Sequence, residues 1–338
     1  MKILIIKTSS LGDVIHTLPA VSDAAAALPG IQFDWVVEKG FKDIPALHSN
    51  VNRVIPVSIR VWRQNIFKYR AEIKACIKDI RQQQYDVVID AQGLIKSALL
   101  TRFARGKRCG LSKISCREGQ AAWAYQTKID VEKGQHAITR VRQLFAACLG
   151  YTLDDKPLSY GLQREAFTKP EGLQSPYVVF LHATTWVSKH WPDAYWKDLI
   201  VLAVKQGLSV YLPWGNKVEK ERAGMLAQTS EQVYVLPRTD LKTLTAVLMH
   251  AQGVVGVDSG LAHLTAACHT PAVTLYGSTS SVLTGTMGPN NRCLQADFSC
   301  SPCLKKECEF DQQSDVKPAC YQTLPAKLVW QTLSDLML

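Results

Sequence analysis

Two nucleotide-binding signatures that would sit near the amino terminus are missing from this chain of 338 residues. A phosphate-gripping Walker loop needs Gly, four residues, then Gly-Lys-Ser/Thr, and a dinucleotide site needs Gly-x-Gly-x-x-Gly. Neither follows the first apolar run, Ile3 to Ile6. No Asp-x-Asp pair occurs anywhere, so the usual carboxylate route to a metal-bridged sugar nucleotide is absent. No apolar stretch approaches the ~20 residues of a membrane span. The run after Lys2 ends at Lys7, too short for a secretory h-region, which leads us to expect a cytoplasmic protein. Long internal repeats and low-complexity tracts are lacking too. Cysteine is plentiful at ten residues, but not in a secreted-scaffold pattern, so most are expected to be reduced, inert thiols in small core positions.

What is present is ordinary globular composition, 47% hydrophobic and 20% charged, over a length that suggests two α/β domains. The formal charge of +10 is unevenly placed. From Arg53 to Arg142 there are 19 Lys and Arg against 7 Asp and Glu, a net +12, while the rest is near neutral. A basic face of this kind fits an acidic partner, such as nucleic acid, anionic lipid or a phosphorylated sugar, or is simply a solvated helix face.

Short apolar runs alternate with helical segments. Strands are expected at Ile3–Ile6, Phe33–Val37, Arg53–Val57 and Val87–Asp90, with a long polar helix from Trp62 to Gln84 and another from His136 to Leu149. Residues 151–176 lack periodicity and hold Pro157, Pro170 and Pro176, which reads as a connection. Strands resume at Tyr177–Leu181, Leu208–Leu212, Val233–Leu236, Val254–Val257 and Ala272–Tyr276, and a last helix, Pro325 to Met337, is expected to pack back on the first half. The fold class is α/β, two doubly wound Rossmann-like domains in tandem. We place the boundaries at 1–160, 161–176 for the linker, 177–322, and 323–338 for the closing helix. The carboxyl edges of the two sheets are expected to face each other across a cleft.

The chemistry-bearing residues stand in the turns that follow strands. Ser9-Ser10-Leu11-Gly12-Asp13 comes first: Gly12 permits close backbone approach, Ser9 and Ser10 can cap a helix, and Asp13 can take up a proton. Asp13 also reads as a plain first-turn residue favoured by the helix dipole. Asp90-Ala91-Gln92-Gly93 should present Asp90 and Gln92 at the same sheet edge. In the second half, Thr184 and Thr185 with Lys189 beyond them suit a diphosphate, although Lys189 alone could be an exposed loop lysine. Asp258-Ser259-Gly260-Leu261-Ala262-His263 opens a helix; Asp258 would repel phosphate and is better suited to hold the loop or a neighbouring cation. His263 is either a phosphate donor or a packed helix histidine. Glu219, after Pro213-Trp214-Gly215, can accept from ribose hydroxyls or complement a helix dipole. Helix amino termini plus Lys189 could neutralise a diphosphate without a divalent metal, so no metal and no cofactor are expected.

With these residues in view, the chain resembles the bacterial lipopolysaccharide core heptosyltransferases of glycosyltransferase family 9, on the heptosyltransferase I side of that family. The resemblance rests on Lys7-Thr-Ser-Ser-Leu-Gly-Asp13, Phe33-Asp-Trp-Val-Val-Glu38, Asp90-Ala-Gln-Gly-Leu-Ile-Lys96, His182-Ala-Thr-Thr185 with Lys189-His-Trp-Pro192, Leu212-Pro-Trp-Gly215 and Asp258-Ser-Gly-Leu-Ala-His263. It implies a GT-B fold and an inverting transfer of L-glycero-D-manno-heptose from ADP-heptose to Kdo on lipid A. It implies Asp13 as general base and Lys189 as the second catalytic residue. Thr184, Thr185, Lys189, Glu219, Asp258, Gly260, Leu261 and His263 would meet the donor. Ser10, Gly12, Arg60, Arg63, Gln92, Arg117 and Arg140 would meet the acceptor. A monomer at the anionic cytoplasmic face of the inner membrane, with no nucleic-acid partner, is the implied setting.

Two stretches depart from the pattern. Trp186-Val187-Ser188 stands where more polar residues are expected. The tail Cys300-Ser-Pro-Cys303-Leu-Lys-Lys-Glu-Cys308, with Cys320 beyond, looks more like heptosyltransferase II and other core heptosyltransferases, so an already heptosylated acceptor is the alternative. Its Cys-x-x-Cys-x4-Cys spacing can hold a structural zinc with Cys293 or Cys320 as fourth ligand, although inert thiols are the simpler expectation. A sugar-nucleotide epimerase would need acid/base groups on the donor sugar. A non-catalytic nucleic-acid-binding protein would need aromatic-interleaved basic motifs, which are not found.

Overall fold

The computed structural model describes residues 1–153 and 157–338 in two compact units, Met1–Gln163 and Arg164–Leu338. The division falls within the segment expected as a connection.

In the first unit the strands are β1 (Lys2–Ile6), β2 (Gln32–Glu38), β3 (Val51–Val57), β4 (Gln84–Asp90), β5 (Arg105–Leu111) and β6 (Thr127–Ile129). They form one parallel sheet in the order β3-β2-β1-β4-β5-β6. The sequence runs outward from β1 in both directions, so the order reverses beside β1, the place where doubly wound sheets leave a crevice. Ile3 to Ile6 are fully buried, because helices cover both faces of the central strand. On one face Leu4, Ile6, Val36, Ile55 and Val88 pack with Ile80 and Leu100 from the covering helices.

The second unit repeats the plan. Its strands are β7 (Tyr177–Leu181), β8 (Ser209–Leu212), β9 (Val233–Val235), β10 (Gly253–Val257), β11 (Ala272–Tyr276) and β12 (Asn291–Gln295), ordered β12-β11-β10-β7-β8-β9 and again parallel. Every residue of β7, β10 and β11 is buried.

Four features differ from expectation. The polar stretch 62–84 is not one helix but a short turn of helix, Ile59–Trp62, irregular chain, and the helix Arg70–Ile80. Asn65 accepts from the Lys68 backbone N–H at 2.9 Å and diverts the chain. Strands β5, β6 and β12 were not foreseen; β5 reads Arg-Gly-Lys-Arg-Cys-Gly-Leu and buries only its last three residues. The closing helix, Ala326–Met337, expected on the first half, lies against the helix Asp193–Lys205 and strands β10 and β11 of its own unit. Its apolar side of Val329, Trp330 and Leu333 is the cause, and Gly253 lets it approach: a Cβ there would meet Leu333 and Met337 within 3 Å. Finally, Cys109 of β5 and Cys148 of the helix Ala137–Leu149 form a disulfide, where reduced thiols were expected for both. Among the described residues, no helix is long and apolar enough to cross a membrane.

Candidate active site

The first functional turn leaves β1 and enters the short helix Leu11–Ile15. Asp13 is the third residue of that helix, and its Oδ2 accepts from the Ser10 backbone N–H at 2.8 Å and the Ser10 hydroxyl at 2.7 Å. Its Oδ1 faces the Lys7 ammonium at 3.9 Å, and 44% of the side chain remains exposed. Lys7 is buried, donating from Nζ to the Ala91 carbonyl at 3.0 Å, while its own carbonyl accepts from the Trp35 indole. Asp13 is thus both a capping residue and an accessible carboxylate beside a fixed cation.

Gln92, in the turn after β4, holds the first turn from the other side. Its Oε1 accepts from Thr8 N and Thr8 Oγ1 at 2.7 and 2.8 Å and from Ser9 N at 3.3 Å, and its Nε2 donates to the Ser9 carbonyl at 2.5 Å. Asp90, expected at the sheet edge, is instead fully buried. It accepts from the Gln92 and Gly93 backbone N–H groups and from the Tyr125 hydroxyl at 2.7 Å; burial still pushes its carboxyl upward. Gly110 leaves room for the Tyr125 ring, which a Cβ would meet at 2.5 Å.

Beside the turn stands a charged group whose arginines, Arg60, Arg63, Arg117 and Arg140, were foreseen, whereas Lys96 and Glu38 were not. Lys96 donates to Ser9 Oγ at 3.2 Å, and burial lowers its ammonium despite the opposing pull of Glu38. Glu38 is buried, which raises its carboxyl, and it accepts from the Arg60 backbone N–H at 3.3 Å. The side chains of Arg60, Arg63 and Arg117 are exposed. Arg140 is partly buried and committed, donating to the Ser115 carbonyl at 2.7 Å and the Glu132 carbonyl at 3.1 Å. Lys7, Lys96 and Glu38 all fall within the motifs quoted above, so position in a motif was the signal that could have found them.

In the second unit the turns after β7 and β10 are tied together. Lys189 Nζ lies 2.7 Å from Asp258 Oδ2, with only 15% and 8% of the two side chains exposed. Asp258 Oδ2 also accepts from the Thr279 hydroxyl at 2.7 Å, and Oδ1 lies 3.7 Å from His263 Nε2. Burial would raise the Asp258 carboxyl, but His263 and Lys189 together outweigh it and hold the group well below the usual carboxylate range. The Asp258 carbonyl accepts from Thr184 Oγ1 at 3.1 Å, and the Lys189 ammonium lies over the Trp186 ring, 4.6 Å from its centroid. Ser259 caps the helix Gly260–Ala267, accepting from the Ala262 N–H. Lys189, Thr184, Asp258 and His263 therefore form one constellation, with Gly260 and Leu261 at the helix start.

Glu219 closes the turn after β8. Its two oxygens accept from the Gly215 N–H at 2.6 Å and the Asn216 amide at 2.7 Å, while Asn216 accepts from the Glu219 N–H. Beneath this turn Arg222, which nothing in the sequence singled out, donates to the carbonyls of His182 at 2.6 Å and Trp191 at 2.8 Å and pairs with Asp193 at 2.6 Å. Thr279 is a second residue without a sequence signal. Among the described residues, no three carboxylate, imidazole or thiol groups are gathered closely enough to hold a metal ion as they stand.

The profile of glycosyltransferase family 9 (heptosyltransferase) matches residues 73–313. Lipopolysaccharide heptosyltransferase 1 of Pseudomonas aeruginosa is 47% identical over 351 aligned positions, covering 100% of this chain and 98% of that protein. The Salmonella typhimurium protein of the same name is 49% identical, over 89% of this chain and 95% of its own length. Among solved structures, the E. coli heptosyltransferase WaaC with ADP superposes with a TM-score of 0.89 at 42% identity, covering 99% of this chain and 100% of that one. The E. coli ADP-heptose heptosyltransferase II, at 20% identity and a TM-score of 0.78, shares the fold. The chain belongs to glycosyltransferase family 9, the heptosyltransferases.

Proposed function

We propose that this chain transfers L-glycero-D-manno-heptose from ADP-heptose to Kdo of Kdo-lipid A, with inversion, in lipopolysaccharide inner core synthesis. The observation that carries the reading is the near full-length likeness, at 42% identity, to an E. coli heptosyltransferase solved with ADP and with ADP-2-deoxy-2-fluoro heptose. Asp13 takes the proton of the attacking Kdo hydroxyl as its oxygen bonds to the anomeric carbon; the bond to ADP breaks on the opposite face. Lys189, Thr184, Thr185 and the N–H groups at Gly260 and Leu261 take the charge that grows on the leaving diphosphate, so transfer runs without a divalent cation. His263 and Asp258 orient Lys189 and the sugar, and Glu219 meets the ribose. Ser10 and Gly12 line the acceptor side with Gln92. Arg60, Arg63, Arg117 and Arg140 supply positive charge to an acceptor rich in phosphate and carboxylate, at the anionic cytoplasmic face of the inner membrane. The protein acts as a monomer.

The test is purified protein with ADP-heptose and two acceptors, Kdo-lipid A and its singly heptosylated form. Transfer to Kdo-lipid A is expected. Transfer to the heptosylated form alone would establish the alternative acceptor instead. Asp13→Ala should keep donor binding and lose ~100-fold or more in kcat; near-normal turnover would refute the base assignment.

A further inference from the structure

Between Ser58 and Ala71 the sequence carries four cations, Arg60, Arg63, Lys68 and Arg70, and no carboxylate. The chain there leaves the helix Ile59–Trp62, turns, and enters the helix Arg70–Ile80. The Asn65 side chain accepts from the Lys68 N–H at 2.9 Å, which makes Ile66 and Phe67 the two central residues of a tight turn. Turn tips ordinarily carry small or polar residues. This tip carries an isoleucine that is 62% exposed and a phenylalanine that is 87% exposed. The base of the loop is closed, because the Trp62 indole donates to Glu72 across it at 3.1 Å. The apolar tip is therefore held out from the fold rather than resting on it.

A second apolar cluster lies on the helix Ile95–Phe103. Ile95 and Leu99 stand one turn apart and both are exposed. Arg102, next on that face, lies 5.7 Å from the ring centroid of Trp123, which is 57% exposed. The Ile95 N–H donates to Glu118 at 2.7 Å, which brings the neighbouring Arg117 to the same place. Between the two clusters stands the cationic group of the acceptor side. Glu38 accepts from the Arg60 N–H. Lys96, beside Ile95, is lowered first by burial; Glu38, Arg60 and Arg63 act on it from the side of the first cluster and Glu118 from the side of the second.

Single exposed apolar side chains need no explanation, but two groups of them bracketing one basic patch mark an interaction surface. A nucleic acid would engage the cations and the flat rings but give Ile66, Ile95 and Leu99 nothing to bury against. An anionic bilayer engages both kinds of group. The apolar tips enter the headgroup region, the Trp123 indole sits at its level, and Lys68 and Arg102 extend to the phosphates. We propose that the Ile66–Phe67 tip and the face of Ile95, Leu99 and Trp123 dock the amino-terminal unit directly on an anionic lipid bilayer, with Arg60, Arg63 and Arg117 turned to the headgroups between them. This face serves the reaction proposed above and rests on that reading for its purpose, since an acceptor held in a membrane has to be met at the membrane surface.

The experiment is co-sedimentation of the full chain with vesicles of phosphatidylcholine alone and of phosphatidylcholine with phosphatidylglycerol in equal parts. Neither vesicle holds an acceptor, so binding is read apart from sugar transfer. Wild-type protein should partition to the anionic vesicles, and ~10-fold or more weakly to the neutral ones. Ile66→Ser with Phe67→Ser, and Leu99→Ser with Trp123→Ser, should each lower partitioning to anionic vesicles ~10-fold or more. Val282→Ser, at a valine of the other unit that is also exposed, should leave it unchanged. Circular dichroism establishes that each variant is folded. Equal binding to both vesicles, or variants that partition as the wild type does, would overturn the proposal. So would vesicle binding that both double variants retain and a single-stranded oligonucleotide abolishes, which marks a surface acting through charge alone. Absence of sugar transfer with vesicle binding intact would instead refute the reaction and leave the docking face standing.

Discussion

Removing the Asp258 carboxylate should strip the Lys189 ammonium and the Thr279 hydroxyl of a shared partner. Both side chains of the ion pair are mostly buried, so the ammonium left behind is poorly hydrated where it stands. Breaking a buried pair by deleting one partner costs ~3–5 kcal/mol, and an orphaned buried hydroxyl adds ~1–3 kcal/mol. The lysine stem is flexible and can carry its charge toward water, which favours the low end, about 3 kcal/mol for Asp258→Ala. Asp258→Asn keeps an acceptor for Thr279 and should lose about 2 kcal/mol. The decisive comparison is the double variant Asp258→Ala, Lys189→Ala, which removes both charges. It should be less destabilised than the sum of the singles by about 2 kcal/mol.

Urea unfolding followed by tryptophan emission and circular dichroism together gives these differences, since two units need not unfold as one. The pH dependence supplies a second reading. The folded Asp258 carboxyl lies below its unfolded value, so its stabilisation is present above the ordinary carboxylate range near pH 4. It is lost as pH falls through that range and below. Asp258→Asn should flatten that acid limb. Additive single-variant losses, or an unchanged acid limb, would mean the pair does not order the donor turn.

Arg222→Lys preserves charge but cannot span two carbonyls and Asp193 at once, so a loss of about 2 kcal/mol in urea unfolding and weaker ADP binding by calorimetry are expected. Gln92→Glu, nearly isosteric, sets a carboxylate oxygen against the Ser9 carbonyl; kcat should fall ~10-fold or more with donor affinity unchanged, measured by steady-state transfer and ADP-heptose binding. His182 is buried, which with the Arg222 charge lowers its imidazole to about 4. Because the unfolded histidine protonates near 6.5, stability should fall as pH drops from there to about 4, with His182 contributing on the order of 2–3 kcal/mol, and His182→Leu should make the slope shallower in pH-dependent melting while buried His48, also lowered to about 4, keeps its own share.

The sequence spoke clearly where burial on both faces leaves an unbroken apolar run. Ile3–Ile6 and Tyr177–Leu181 are such runs, and the small or hydroxylic residues behind them mark strand-to-helix turns. It was silent at β5, where Arg105, Lys107 and Arg108 mask a strand that buries only its end, and misleading at 62–84, where no apolar stripe reveals that Asn65 interrupts the helix. Most of the functional turns were legible because each is local. Their supports were not: Gln92 reaches Ser9 from 83 residues away, Thr279 reaches Asp258 from 21, and Arg222 reaches His182 from 40. Asp90 shows the limit of the local view, since its place at the end of a strand suggested the sheet edge while Tyr125, which Gly110 leaves room for, encloses it.

The Gln92 clasp bears on how this scaffold can be re-engineered. A chimera that imports only the first strand-to-helix turn from a distant relative inherits a loop cut loose from the carboxamide that disciplines it. Grafts intended to change what the enzyme glycosylates should therefore carry residues 7–13 and 90–96 as one cassette, with acceptor selectivity scored only after both have been moved.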